Sequence, residues 1–563
     1  MCISLITPNP DVMFSFLKIR RIAKMLGNPM ASQPELDVIE DFLDRIKVQY
    51  SIADSELKNI PRSGPFIVLA NHPFGFLDSL ILLSIFGKDN ENVKVLANIH
   101  QKEMQAISSL FIEPGDGFAK GVVAQDALDQ CLHHLASGKS LVLFTSSQRV
   151  GVNRGDSPSW HNSVVELVLQ SGLPVVPVYF YGANSAISRM LDVLPFSLRS
   201  WVIPAELGIK ENSTIKLRIG KVIDPADLNS FGNRDKASRY LRACLFALGS
   251  QVGVKKFFKM NFKLPKRADK IIDPVPVVDI EAELEVIRQD GGLLQSKGNY
   301  DIYMGRTELM PSILRELGRL REVTFREVGE GTNLQLDVDG YDLYYNHLFV
   351  WDRDERCIIG AYRLGRGNDI INQYGPKGFY VTSLFTLDEP LVPVLEKTLE
   401  LGRSFVVKKY QQKPLPLFLL WQGILCFLRE HKEYQYLMGP VSISNDFSVF
   451  SKDLLIAFIK KNYFDHELAK HVHPHQEFVV QTNQEDIDVI LERSSDLQQL
   501  DKFISSVEPN YLKIPVLLKQ YIKQNAKIIA FNVDPLFNFS LDGLMILDLN
   551  DVPEDTFEML QSR

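Results

Sequence analysis

Two patterns of apolar residues share this chain, and the change between them limits how it can fold. Up to about residue 250, short β-rich runs such as PFIVLAN, VKVLAN, SLVLFTS, PVVPVYFYG and TIKLRIGKVI are bounded by Gly, Pro, Asn or Ser. Amphipathic stretches separate them, among them SLILLSIFG and VAQDALDQCLHHLASG, whose last Gly is a helix stop. This alternation predicts an α/β domain with a helix-covered sheet. Past residue 290 the strands lengthen and pair directly. YDLYYNHLFVWDRDERCIIGAYRLGRG reads as a hairpin with a charged turn, followed by strands in GFYVTSLFTL and TLELGRSFVV. A helix from about Leu415 to Glu430, a strand in YQYLMGPVSIS and a helix in DLLIAFIKKNY complete an α+β pattern with a largely antiparallel sheet. A chain of 563 residues exceeds what one core supports. The expected division is a domain over 1–250, a basic linker over 251–290 and a domain over 291–563.

Composition removes several classes. Hydrophobic residues make up 45% and charged residues 23%, a globular balance. A net charge of −7 argues against general nucleic-acid binding. Cys2, Cys131, Cys244, Cys357 and Cys426 are odd in number and lack metal-ligand spacing, which fits a reducing cytoplasm without disulfide framework or zinc site. The N-terminal stretch MCISLITPNPDVMF does not read as an export signal, and PLPLFLLWQGILCFL is shorter than the ~20 residues a spanning helix needs. Two basic, aromatic stretches suit a membrane surface instead: Val12–Leu26, and Lys255–Lys270 with Phe257, Phe258 and Phe262, which suits an acidic carrier protein as well. The first fits a helix packed on its own domain equally well, and the second a solvated linker.

The stretch LANHPFGFLD places His72 behind an apolar strand and Asp78 six positions later. Pro73 biases His72 towards an extended backbone, and Gly75 permits a tight turn. A histidine oriented by a carboxylate can deprotonate a hydroxyl as it attacks a thioester. Taken alone, Asp78 equally fits a helix N-cap and His72 a structural residue. In sequence order, however, the stretch resembles the glycerolipid acyltransferase family, whose signature is Asn-His, four residues, then Asp. Five residues intervene here, Pro73 to Leu77, as in a bacterial branch that includes the O-acyltransferases of ornithine-lipid synthesis. The resemblance spans roughly residues 40–230. It implies catalysis by His72 and Asp78, with Asn71, Phe111, Glu113, Gln148, Arg149 and Asn184 contributing to substrate binding. LFIEPGDG, GKSLVLFTSSQR and PVVPVYFYGANS stand where the later family blocks are expected. One departure is clear: the family's Pro-Glu/Ala-Gly is replaced by Thr145, Ser146 and Ser147, followed by Gln148 and Arg149.

Over about 291–555, the segments LRELGRLREVTFREVGEGT, DGYDLYYNHLFVWD, IIGAYRLGRG, LELGRSFV and YLMGPVSIS resemble the carrier-dependent branch of the GNAT acyltransferases, nearest the ornithine N-acyltransferases. The fold class implied is thus an α/β acyltransferase domain plus an α+β GNAT-like domain. In that arrangement a splayed strand binds the donor's pantetheine arm. TLELGRSFVV is the candidate, with Gly402 allowing a bulge and close approach. Glu400 would accept the acceptor amine's proton, directly or through water, and Arg403 would bind a carboxylate or orient Glu400; the rival reading is a surface ion pair. In a regular strand these two face opposite ways, so cooperation requires the bulge. KKYQQKPLPLF contains no glycine where CoA-using members carry a pyrophosphate loop, which favours an acyl carrier protein as donor over CoA. Lys408, Lys409 and Lys413 would meet the carrier's acidic surface. The fused pair resembles the bifunctional ornithine-lipid synthases. It implies a membrane-peripheral, cytoplasmic enzyme that N-acylates an amino acid with a 3-hydroxyacyl chain and then O-acylates the hydroxyl. No tightly bound cofactor is expected, only acyl-carrier protein or acyl-CoA as donor. The rival readings are a lysophospholipid-type acyltransferase with an accessory GNAT domain, and a membrane-surface or carrier-binding protein whose sites have degenerated.

Overall fold

Continuous apolar strands such as IVLA, LVLF and VVPVYF can only be buried on both faces, and the computed structural model places them at the centre of a sheet. It describes residues 34–88, 92–97, 105–115, 123–145, 162–181, 213–250, 268–411, 413–482, 484–508, 512–535 and 537–554. The first sheet is built from β1 (Gln49–Ser51), β2 (Ile67–Ala70), β3 (Lys94–Leu96), β4 (Phe111–Ile112), β5 (Leu141–Phe144), β6 (Val175–Phe180) and β7 (Thr214–Ile219), in the order β1-β7-β6-β2-β5-β3-β4. Pairing is parallel except between β6 and β7. Helix Phe76–Phe86, buried at every position, packs into this core, as a helix without a polar face must. Pro177 sits inside β6 without costing a ladder bond. The β6–β7 ladder runs from Phe180 to Val178 and then skips to a bridge between Val175 and Ile223, leaving the proline opposite a bulge.

The second sheet comprises β8 (Leu293–Lys297), β9 (Tyr300–Arg306), β10 (Asn346–Asp352), β11 (Cys357–Arg366), β13 (Thr398–Val406), β14 (Tyr436–Ile443), β16 (Lys527–Asp534) and β17 (Ser540–Asp548). The order is β16-β17-β14-β13-β11-β10-β9-β8, while β12 (Phe385–Leu387) and β15 (Val472–Pro474) form a separate pair. All neighbours in the large sheet are antiparallel except β13 and β14. Side-chain alternation splits the core in two. Tyr303, Phe349 and Ala361 face helices Val277–Gln289 and Pro311–Glu327. Ile302 and Leu348 face helix Leu415–Glu430, where Gly423 lets the backbone approach: a Cβ there would lie 2.7 Å from Ile302. The strand expected in GFYVTSLFTL is mostly 3-10 turn (Pro376–Gly378 and Tyr380–Ser383), with only Phe385–Leu387 extended.

The chain divides into two compact units, but not with one cut. Residues 483–512 belong with 1–250, and the second unit takes 251–482 and 513–563. Helix Val277–Gln289 buries Ile280, Leu284 and Ile287, so the latter part of the expected linker is core of the second unit. Helices Gln484–Arg493 and Leu497–Val507, expected in the C-terminal domain, pack on helix Arg234–Gly249 of the first. Charge specifies the seat: Arg242 Nε donates to Asp486 at 3.1 Å, Lys236 pairs with Glu492 at 2.7 Å, and Arg493 pairs with Asp227. Beneath them Arg218, 6% exposed, bonds Glu56 at 2.8 Å and donates to the Val507 carbonyl at 2.8 Å. Arg218→Ala strands the buried Glu56 carboxylate and frees the end of the inserted segment. It is expected to destabilise the first unit by about 3–5 kcal/mol, read as a lower urea midpoint for that unit's transition in the full chain. An unchanged midpoint would show that the pair and the docking contact are dispensable.

Candidate functional sites

In the first unit the loops after parallel strands open at one edge of the sheet, where ligands of such folds bind. Asn71 follows β2 and ties it to β6: its Nδ2 donates to the Phe180 carbonyl at 3.0 Å, and its Oδ1 accepts from the Phe180 N–H at 2.7 Å. It is a side-chain rung that fixes the next residue, His72. Gly75 turns the chain at φ 69° and starts helix Phe76–Phe86. The cap is therefore Gly75, and Asp78 lies in the first turn with its side chain folded back. Its Oδ2 accepts from the Phe74 N–H at 2.9 Å and lies 3.2 Å from His72 Nδ1. Asp78 is fully buried; the His72 ring is 17% exposed and packs 4.0 Å from Phe144, centroid to centroid. The approach at Nδ1 is not yet an aligned hydrogen bond, a geometry that catalytic pairs tighten when substrate arrives. With Nδ1 towards the carboxylate, Nε2 on the opposite edge of the ring is left for a substrate proton.

The other residues expected here divide. Phe111 is buried and stacks on Phe76, so it supports the wall behind the turn. Glu113 is exposed after β4 on the same sheet edge. Thr145 is buried and donates its N–H to the Ala70 carbonyl at 3.0 Å, continuing the sheet beside His72. Ser146, Ser147, Gln148, Arg149, Asn184 and the basic stretch Val12–Leu26 lie outside the described residues, as does most of Lys255–Lys270.

In the second unit the parallel pair β13–β14 holds for three residues, from Thr398↔Tyr436 to Glu400↔Met438, and then opens. Beyond that point β13 follows β11 and β14 follows β17. The strands part where Gly439 presses on Leu401: a Cβ there would lie 2.1 Å from the Leu401 carbonyl oxygen. The bulge expected near Gly402 is present, because Ala361 pairs with Phe405 but Arg363 with Gly402. Arg403 occupies the extra position with φ 47°, in the left-handed region. Between the parted strands lies a cavity of about 930 Å³. A side chain at Gly402 would stand in its open space, with nothing within 4 Å. Apolar side chains line part of it: Leu417, Phe418 and Trp421 of helix Leu415–Glu430, with Val516 and Leu517. A polar group lines another part, where Arg403 bonds Tyr380, Ser442 bonds Asp542, and Glu330 and Asp534 act on the Asp542 carboxyl.

Glu400 and Arg403 take different places. Arg403 lines the cavity. Its Nε lies 3.1 Å from Asp337, its Nη2 3.4 Å from Asp339, and its Nη1 donates to the Tyr380 hydroxyl at 3.1 Å. Burial opposes its charge, but Tyr380, Asp337 and Asp339 hold the guanidinium well above its ordinary pKa. Glu400 is 1% exposed and is not among the cavity-lining residues. Its carboxylate accepts from the Val381 N–H at 2.8 Å, the Tyr380 N–H at 3.1 Å and the Tyr345 hydroxyl. That grip curls GFYVTSLFTL into turns and sets Tyr380 against Arg403. Of the two routes expected for Glu400, direct contact with the amine does not fit this placement, and the placement suits a positioning role.

Behind Arg403 runs a buried network that only separate motifs hinted at. Arg363 pairs with Asp339 at 2.6 Å and Asp342 at 3.3 Å; Arg321 pairs with Asp342 at 2.8 Å and reaches His347 Nδ1 at 3.2 Å. Arg321 and Arg363 hold the Asp342 carboxyl below the ordinary carboxylate range in spite of burial. Lys408 and Lys409, two of the expected carrier contacts, pair with Glu327 and Glu355 at the surface, while Lys413 lines the cavity. Such exposed pairs are worth little and exchange readily for another carboxylate. Among the described residues no group of His, Cys, Asp and Glu could hold a metal ion. No described helix is long and apolar enough to cross a membrane.

Comparison with known proteins finds a family match in each unit. The "Acyltransferase" family model matches residues 51–181 and the "Acetyltransferase (GNAT) domain" model residues 320–422. A glycine N(alpha)-acyltransferase of Bacteroides thetaiotaomicron is 27% identical over 48% of this chain and 82% of its own length. A lyso-glycine lipid O-acyltransferase of Phocaeicola vulgatus is 26% identical over 34% of this chain and 75% of its own. Among solved structures, the 1-acyl-sn-glycerophosphate acyltransferase PlsC of Thermotoga maritima aligns over 42% of this chain and 93% of its own at 16% identity, TM-score 0.27. The CoA-dependent acyl-homoserine lactone synthase BjaI aligns over 46% and 88% at 12% identity, TM-score 0.23. This chain is an acyltransferase with one domain matching each family.

The charge network carries a pH signature. Burial, reinforced by Arg321, pushes the His347 imidazole down to about 3 from its ordinary 6.5. The folded value lies below the unfolded one, so the unfolded chain takes up this proton first and stability is lost as pH falls from 6.5 towards 3. Neither Glu330 nor Asp542 owes its shift to His347, so both cancel in a comparison with His347→Gln. The stability difference between the two proteins should therefore shrink by about 1.4 kcal/mol per pH unit below 6.5, measured by urea denaturation. A gap that stays constant from pH 7.5 to 4.5 would show that His347 is not held neutral.

Proposed function

We propose that this acyltransferase makes a phosphorus-free aminolipid in two steps, with an amide formed in the second unit and an ester in the first. The observation that carries the reading is the cavity between β13 and β14, whose lining offers apolar side chains to an acyl chain and a charged group to an amino acid. The donor's pantetheine arm would follow the edge of Leu401–Val406 that β14 leaves open, as an added strand does. Acyl carrier protein, docking near Lys408, Lys409 and Lys413, is the preferred donor, with acyl-CoA the alternative. The first acyl chain would be 3-hydroxylated, because the second step needs a hydroxyl. There His72 Nε2 takes the hydroxyl proton as the oxygen attacks the second thioester, and Asp78 stabilises the imidazolium. Gln148, Arg149, Asn184, Glu113 and Asn71 remain the residues proposed to form the acceptor site around that pair. Relatives named for glycine N-acylation and for lyso-glycine lipid O-acylation support glycine as the first head group to test, with ornithine second. The reaction would take place at the inner face of the cytoplasmic membrane, where the product belongs.

Expression of the full chain in a bacterium that lacks aminolipids, followed by lipid mass spectrometry, tests this. Wild type should add a diacylated amino acid lipid without phosphorus. His72→Ala should leave the mono-acylated N-acyl amino acid to accumulate, with the diacyl product down about 100-fold or more. Arg403→Ala should abolish both. An unchanged lipid profile from folded wild-type protein would refute the proposal.

A further inference from the structure

The position of Glu400 leaves the amide-forming step without a base in contact with substrate, and the cavity supplies a different carboxylate. Asp542 lies on β17, 3% exposed, and belongs to the polar group that lines the cavity. It pairs across the sheet with Ser442 of β14, whose hydroxyl donates to its Oδ1 at 2.6 Å; the Ser540 hydroxyl approaches the same oxygen at 3.5 Å. Among the described residues no Lys, Arg or His forms an ion pair with Asp542, although Arg403, Lys413 and Lys523 line the same cavity. A carboxylate buried this far is ordinarily paired with a cation or else protonated. The wall that holds it also presents Glu330, Asp534 and Tyr380. Arg403 donates to Tyr380, and Phe537, between β16 and β17, covers the guanidinium at 5.0 Å. The cavity therefore offers a guanidinium held in place by Asp337 and Asp339 and, in the same polar group, a carboxylate without a counter-ion among the described residues. That arrangement matches a zwitterion, the form in which a free amino acid arrives.

We infer that Asp542, oriented by Ser442, binds the ammonium group of the amino-acid acceptor and removes its proton, while Arg403 faces the acceptor's carboxylate. This assignment rests on the amide-forming reading of the second unit. Asp542 takes one proton from the ammonium group and passes it to solvent. The neutral amine then attacks the thioester carbonyl; the C–N bond forms, the C–S bond breaks, and the electron pair leaves on sulfur. The second nitrogen proton ends on the thiolate as the carrier thiol departs, so atoms and charge balance. Burial, with Asp534 and Glu330 nearby, pushes the Asp542 carboxyl up to about 7 even though Ser442 favours its charged form. A base is most effective when its pKa lies near the working pH.

The test uses purified full chain, glycine and a 3-hydroxyacyl carrier-protein thioester, following thiol release and N-acyl glycine between pH 5.5 and 9. Asp542→Asn should lower kcat about 100-fold or more with the KM for the donor unchanged, and Asp542→Glu should restore part of it. Ser442→Ala removes a hydrogen bond that favours the carboxylate, so the acidic limb of kcat/KM should move to higher pH. A merely structural Asp542 would not move that limb. The Ser442→Ala arm also decides the matter if Asp542→Asn does not fold: an unmoved limb overturns the assignment. Wild-type transfer that persists in Asp542→Asn with kcat intact overturns the role of Asp542 alone. Absence of amino-acid acylation by wild type, with glycine or ornithine, overturns the amide-forming reading and this assignment together.

Discussion

The second unit depends on two strands that pair for three residues and then separate. A parallel pair in an otherwise antiparallel sheet can open in this way, because each strand keeps a different neighbour on its outer side: β11 holds β13, and β17 holds β14. The divergence exposes backbone N–H and C=O groups to a cavity rather than to bulk solvent, which is unfavourable unless a ligand completes the ladder. The bulge at Arg403 sharpens it. A non-glycine residue at φ 47° costs on the order of 1–3 kcal/mol. That cost is offset by the ion pairs of the guanidinium with Asp337 and Asp339 and by its hydrogen bond to Tyr380.

Charge is managed in opposite ways at the two sites. At the first unit's site the buried Asp78 carboxylate accepts from a backbone N–H and lies beside an imidazole that can become charged on demand. The second buries three arginines with aspartates and keeps His347 neutral among them. A buried network of this kind contributes little net stability compared with an apolar core. Its effect is to fix Tyr380 and Arg403 in the cavity wall, where small displacements would matter most to a transfer reaction.

Which parts of this were legible in the sequence follows from distance along the chain. The His72–Asp78 pair could be read because its turn spans a few residues and Pro73 and Gly75 announce its geometry. The bulge at Gly402 was legible for the same local reason. The surroundings of Glu400 were not, since its donors Tyr345 and Tyr380 come from segments 55 and 20 positions away. Asp542 gave no signal at all: SLDGL reads as an ordinary strand until β14 brings Ser442 beside it. The strand expected in GFYVTSLFTL failed because one buried carboxylate outcompeted β propensity.

The inserted helices show a different limit. Gln484–Arg493 and Leu497–Val507 are ordinary amphipathic segments, and amphipathicity says that a face is buried without saying against which partner. The partner here is the first unit, which the chain left at residue 250 and rejoins at residue 483. Arg218, inside that unit, cannot complete its bonds until Val507 has been synthesised. Domains usually fold in order as they leave the ribosome. In this chain the first unit must wait for most of the second, so neither the order of folding nor the domain boundary follows the order of the sequence.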